Sequence, residues 1–142
     1  MAASLERLTR DEGGTSAIEF AFVAPVLLIL LFGIMGYGYV FGIYHSIQQI
    51  AAEAARSSVA GLSDTERAQI AKDYVAANAQ AYAFIDPSKV KVRTSQTGPQ
   101  QQSFEIAVSY DMSGTVYDQL SRLAALPPPL IERRAVVQRG GY

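Results

Sequence analysis

The pattern of apolar and polar positions divides the chain into three regimes. In the first, residues 20–52 contain no Asp, Glu, Lys or Arg, and residues 20–44 are apolar almost throughout. Such a run predicts a membrane-spanning helix: about 25 residues at 1.5 Å each extend roughly 37 Å, against a hydrocarbon core of about 30 Å. A single segment can cross only as a helix, because only then do its backbone groups pair within the segment. Past residue 44 the run turns alanine-rich, and Ile43, Ile47 and Ile50 keep a helical spacing. The helix is therefore expected to continue to about Ala60, with Gly61 as its stop.

In the second regime the period is 3.6. Ser63 and Glu66 form a capping box, so a second helix starts there. Ile70, Tyr74, Ala77, Ala81 and Phe84 make its expected apolar stripe, and Asp86-Pro87 its expected end. In the third regime the period falls to two. Residues 89–95 alternate charged and apolar side chains, and Phe104, Ile106, Val108 and Tyr110 line one face of the next run. Both segments read as half-buried strands, with a turn at Gly98-Pro99 between them. Lys89, Lys91 and Arg93 form the solvent face of the first strand, with Glu105 as the expected cross-strand partner.

A short helix is expected over residues 113–126, with Val116, Leu120, Leu123 and Ala124 on one side, stopped by Pro127, Pro128 and Pro129. Residues 130–139 read as a third strand. Arg133 and Arg134 suit it to a sheet edge, where charge discourages further pairing. The class is α+β: residues 1–14 as a leader, residues 15–60 as the membrane and assembly helix, and residues 61–142 as a head with a helix and a sheet of about three strands.

Charge adds a direction. Arg7 and Arg10 precede the apolar run and favour a cytoplasmic N-terminus, which puts the head on the far side of the membrane. The chain carries 12 basic and 13 acidic side chains, and loss of residues 1–14 would leave ten of each. That balance gives no bias toward nucleic acid. Cysteine is absent, which excludes disulfides, a lipidated cysteine, thiolate metal sites and a cysteine nucleophile. His45 is the one histidine and falls at the outer membrane interface, a poor place for a metal site or a catalytic base. Asp111 and Asp118 show no spacing that marks a catalytic pair, and no nucleotide loop is present. The pattern points away from an enzyme and implies no cofactor.

The candidate chemistry sits where the apolar run begins. Glu19 is a lone carboxylate at its front edge, with Gly14 five residues earlier and Phe20 directly after. The bland alternative is an interfacial acid favoured by the positive end of the helix dipole. A carboxylate at this depth is otherwise costly unless paired, and is a functional candidate by default. The spacing resembles the processing site of type IV prepilins. That resemblance implies a cut by a membrane prepilin peptidase between Gly14 and Thr15, leaving Glu19 at the fifth mature position. It also implies that Glu19 meets the new α-amine of Thr15 on a neighbouring subunit.

Further packing candidates lie on the same helix. Ala17, Ala21 and Ala24 form a small face, and Gly38 and Gly42 have small-xxx-small spacing. Pro25 lacks the amide that would pair within the helix. Tyr37, Tyr39, Phe41 and Tyr44 fit either an interfacial aromatic belt or a subunit contact. With the alanine-rich exit at residues 51–56, the whole segment resembles the TadE-like family of minor pilin-like, or pseudopilin, components of the tight adherence (Tad) type IV pilus. The resemblance implies an inner-membrane, single-pass protein with a periplasmic head, taken up into an extracellular pilus that serves adhesion or secretion. Its implied partners are the prepilin peptidase, other Tad pilins and pilin-like proteins, the inner-membrane Tad assembly machinery and the lipid bilayer. The alternative is an uncleaved single-pass scaffold whose periplasmic domain binds another envelope protein.

Overall fold

The structure is a computed structural model and describes residues 12–138. Most of the expected leader, residues 1–11, and the glycine-rich tail, residues 139–142, lie outside the described residues.

The first helix, α1, runs unbroken from Glu12 to Ser58, with Pro25 inside it. A second helix, α2, spans Asp64–Asn78. Three strands follow, β1 at Val90–Thr97, β2 at Ser103–Asp111 and β3 at Leu130–Gln138, with a five-residue helix, α3, at Val116–Leu120 before the last. The sheet is an antiparallel meander in the order β1-β2-β3. The α+β class and the long N-terminal helix stand as the sequence predicts.

The core forms between the second half of α1 and one face of the sheet. On α1 the fully buried apolar side chains are Val40, Ile43, Ile47, Ile50, Ala51 and Ala54, spaced so that one stripe faces inward. Phe104, Ile106, Val108 and Tyr110 of β2 and Ile131 of β3 meet that stripe. The alternation in β2 is thus the pleat of a half-buried strand. Each large aliphatic side chain removed from water contributes about 1.5–3 kcal/mol, so the isoleucine stripe is what binds head to helix.

Several elements depart from the sequence pattern for physical reasons. The buried face of α2 is Ala71 and Val75, continued by Ala79, while Ala77 and Ala81 are exposed and Phe84 is 62% exposed. Here α2 packs beside the alanine-rich part of α1, where Ala51, Ala54 and Ala55 are buried. Small residues on both sides permit close approach, so the large residues are left at the flanks. The helix also ends earlier, giving way to a 3-10 turn at Ala79–Ala81. Asp86 instead caps a separate turn, Pro87–Lys89, where its Oδ1 accepts from the Ser88 amide at 3.0 Å. The N-terminus of α2 is as expected at Ser63, whose Oγ accepts from the Glu66 amide at 3.2 Å. The Glu66 carboxylate reaches Leu62 N, at 2.8 Å, rather than Ser63 N.

The helix expected over residues 113–126 shrinks to α3, and its anchor is Tyr117. The Tyr117 hydroxyl donates to Pro127 O at 2.6 Å, which fixes the following loop against the helix. Val116 and Leu123, expected on the packed side, are both more than half exposed. Gly61 also works differently from a helix stop. It is buried, and a Cβ there would come within 2.7 Å of Arg67 Cγ and 2.8 Å of the Arg67 amide nitrogen. Its lack of a side chain is what lets α2 fold back beside the end of α1.

Candidate functional site

The site proposed by the sequence lies on α1, whose two halves differ in environment. Residues 16–35 have no buried position, and Phe20, Phe22, Val26, Leu27, Ile29 and Ile34 are each more than half exposed. By length and composition α1 can cross a membrane. An apolar surface of this extent is stable only in lipid or against other helices. The long apolar helix therefore fits a membrane anchor.

The head begins to cover α1 at Gly36. A Cβ on Gly36 would lie 2.9 Å from Leu126 Cδ2, so the glycine admits the leucine. One residue on, the Tyr37 hydroxyl donates to Ala125 O at 2.9 Å, and Tyr39 donates to Thr115 Oγ1 at 3.2 Å. Val40 is fully buried. The apolar run over residues 20–44 thus serves two environments. Its last part is docked in the head, and the uncovered apolar helix, residues 16–35, measures about 30 Å at 1.5 Å per residue, the thickness of a hydrocarbon core.

Among the sequence candidates, Gly14 and Thr15 have helical backbone, because α1 begins at Glu12. Glu19, Phe20, Ala21 and Pro25 all lie exposed on the uncovered half. Pro25 has no amide to offer the Ala21 carbonyl, so a free backbone acceptor lies two residues from Glu19. Gly38 has nothing within 4 Å of a built Cβ, whereas Gly42 faces the Phe84 ring at 3.5 Å. The two glycines therefore have different surroundings, one open and one occupied by the chain's own head.

The aromatic cluster also divides. Tyr37 and Phe41 lie on the exposed side with ring centres 6.0 Å apart and planes tilted by 42°. Tyr39 meets the Phe84 ring edge at 5.5 Å, and Tyr44 lies beneath the Arg133 guanidinium at 4.4 Å, a cation–π contact that fastens β3 to α1. Periodicity places Phe84 on the expected α2 stripe, whereas the structure sets its ring against Gly42. It misses Leu126, which closes over Gly36 and whose one signal is a large apolar residue directly before a proline.

The charged face of the sheet is satisfied within itself. Glu132 pairs with Arg93 across the sheet and with Arg134, whose Nη2 lies 2.8 Å away. Glu105, expected to pair with the β1 cations, instead accepts from Ser95 Oγ at 3.3 Å and sits 3.7 Å from Arg134. The register sets Ser95 opposite Glu105 and Arg93 opposite the small Ala107 of β2, across which Arg93 reaches Glu132 of β3. The Arg134 hydrogen bonds, followed by those of Arg93, hold the Glu132 carboxyl below its ordinary range. Asp111 is lowered by its hydrogen bonds from Ser113, and Asp118 accepts from the Gly114 amide at 2.8 Å, so both serve the loop they stand in. Tyr82 is pushed up to about 12, first by its hydrogen bond with Tyr74 and then by burial. Among the described residues no group of three or more His, Asp or Glu could hold a metal ion.

The architecture is that of an α+β protein whose long apolar helix fits a membrane anchor and is also the spine of the head. Residues 14–56 match the family described as TadE-like protein, a match consistent with a Tad pilus-associated component. The matched segment runs from the expected scissile glycine to the last turn of α1 and leaves the sheet outside. Neither a curated protein nor a solved structure matches the chain.

Proposed function

We propose that the chain is a minor pilin-like subunit of a Tad pilus, matured by prepilin peptidase cleavage between Gly14 and Thr15. The observation that carries this function is the uncovered apolar half of α1, residues 16–35, fronted by the Gly14–Glu19 spacing. Cleavage creates an α-amine on Thr15. The Glu19 carboxylate of one subunit neutralises that amine on a neighbour, so both charges leave water together and the subunits are set in register. As a subunit leaves the bilayer, residues 16–35 exchange lipid for the equivalent helices of neighbouring pilins, with Ala21 on that half, and Gly38 on the open side just beyond it, permitting close approach.

The protein starts in the inner membrane with its N-terminus cytoplasmic and its head periplasmic. Its partners are the prepilin peptidase, other Tad pilins and pilin-like proteins, and the membrane assembly machinery. The head contributes partner selection and the protein has no catalytic role.

Intact-mass analysis of the protein from its native membrane tests this. A chain beginning at Thr15 is expected, and Gly14→Arg is expected to retain residues 1–14. A full-length native chain in cells with an active prepilin peptidase would overturn the pilin function in favour of a permanent anchor.

A further inference from the structure

The head carries an apolar rim at the level where α1 leaves the uncovered regime. Leu126 closes over Gly36, and Ala125 O accepts from Tyr37. The segment leading to them holds Leu123, 51% exposed, with Arg122 exposed beside it. Val116, 53% exposed, follows Thr115, which is tied to Tyr39, only about 4.5 Å further along the helix at 1.5 Å per residue. Phe84, 62% exposed, lies against Gly42.

Phe84 is held there with φ of 64°, a left-handed backbone that is unfavourable for a large side chain. Its carbonyl accepts from the Tyr110 hydroxyl at 3.4 Å, and that hydroxyl accepts from the Asp86 amide at 3.3 Å. The backbone conformation therefore delivers an exposed phenyl ring to the helix side of the head.

Val116 opens α3, Leu123 and Leu126 lie in the segment after it, and Phe84 comes from the loop after α2. Thr115, Ala125, Leu126 and Phe84 meet α1 between Gly36 and Gly42, at the end of the head nearest residue 35. If residues 16–35 fill the hydrocarbon, Gly36 lies at its outer boundary. The headgroup layer is about 5–8 Å deep and then takes in the levels of Leu126, Leu123 and Val116. The exposed side chains of Val116 and Leu123 thus belong to segments that meet α1 where its uncovered half ends.

We propose that this rim, Val116, Leu123 and Leu126 with Phe84 above them, rests in the outer leaflet of the bilayer and seats the head on the membrane surface. The partner is the lipid itself. The apolar tips enter the acyl–headgroup boundary, and Arg122 extends toward the phosphates. Before assembly the subunit is thus held by two contacts, the helix and the rim, and extraction into a filament must break both. The inference rests on α1 spanning a bilayer, but not on cleavage or polymerisation.

The chain contains no tryptophan, so single Trp substitutions report depth without background. Four full-length variants, Leu123→Trp, Val116→Trp, Leu28→Trp and Val136→Trp, are reconstituted in phosphatidylcholine vesicles. A fraction of the lipid is brominated, at the headgroup end of the acyl chain in one series and at its far end in another. Leu123→Trp and Val116→Trp are expected to show blue-shifted emission, with most of it lost to the shallow bromine. Leu28→Trp is expected to be quenched by the deep bromine, and Val136→Trp, on the outer face of the sheet, to be unaffected by either. Quenching of Leu28→Trp without quenching at either rim position overturns the rim contact and leaves the spanning helix in place. Failure to quench Leu28→Trp overturns both. Quenching of Val136→Trp as strongly as the rim positions overturns the seated orientation.

Discussion

The two halves of α1 are one continuous helix with opposite relations to their surroundings. Along residues 16–35 nothing is buried, and from Gly36 onward a buried position recurs every three or four residues. Both halves are apolar enough to look alike by composition. The difference is periodicity: the first is apolar all round, whereas the second alternates Ile43, Ile47 and Ile50 with exposed His45, Gln48 and Gln49. An all-round apolar helix needs a surrounding of lipid or helices, while a one-sided stripe is satisfied by a single partner. Hydropathy alone cannot mark the boundary, because Val40 in the head core and Val26 on the exposed half are the same residue type.

Separating head from helix is expected to have the largest effect. Residues 61–142 alone are expected not to fold, because the isoleucine stripe that fills their core belongs to α1. Residues 36–142 are expected to fold cooperatively, read by circular dichroism and thermal melting. A well-folded 61–142 fragment would show that the second half of α1 is dispensable to the head.

Next comes Glu19→Ala on the uncovered half. In the proposed assembly it would leave the α-amine of Thr15 without its partner, at a cost of about 3–5 kcal/mol per contact, the scale for breaking a buried pair. Leader removal is expected to continue while pili disappear from electron micrographs. Normal piliation would remove the carboxylate from assembly.

On the docked half, Ile47→Ala is expected to lower head stability by about 2–5 kcal/mol. The matched change Phe22→Ala, at a side chain 76% exposed, should shift it by no more than about 0.5 kcal/mol. Thermal unfolding of the full chain in detergent micelles separates them, and equal losses would erase the distinction between the halves. Gly61→Ala tests the junction. Its new methyl overlaps the Arg67 backbone, so a loss of about 1–3 kcal/mol is expected in the same assay.

The smallest effect concerns the solvent face of the sheet. Glu132 has its folded value below the ordinary 4.5, lowered first by the Arg134 hydrogen bonds. A depressed carboxylate contributes stability that is complete above its unfolded value and is lost as pH falls through the folded one. The head is therefore expected to weaken below about pH 4.5, and Glu132→Gln should flatten part of that decline in an acid titration followed by circular dichroism. An unchanged profile would assign the decline to other carboxylates.

Where a local rule was sufficient, sequence and structure agree. Ser63 caps α2 through its own hydroxyl, and the period-two runs became β1 and β2 within a residue or two. The third strand ends as expected on an arginine-rich edge. Where the outcome depended on a partner, local pattern misled. The large residues of α2 marked one face, but the alanines of α1 selected another. Glu105 stood at a reasonable distance in sequence from the β1 cations, yet the three-strand register gave Arg93 to Glu132. The expected helix over residues 113–126 has a regular apolar stripe, but Tyr117, which is not on it, is drawn inward to Pro127 and leaves Val116 and Leu123 of the stripe exposed.

By itself the sequence determined the membrane-length helix, the α+β order, the strand faces and the Gly14–Glu19 spacing at the helix front. All of these are properties of adjacent residues: apolar length, side-chain period, capping chemistry and motif distance. Where the uncovered part of α1 ends is set by tertiary contacts alone. That boundary depends on Leu126 reaching Gly36 and on Ala125 reaching Tyr37, contacts between segments almost ninety residues apart. No local pattern encodes it, because an apolar side chain gains by leaving water whether it enters lipid or protein.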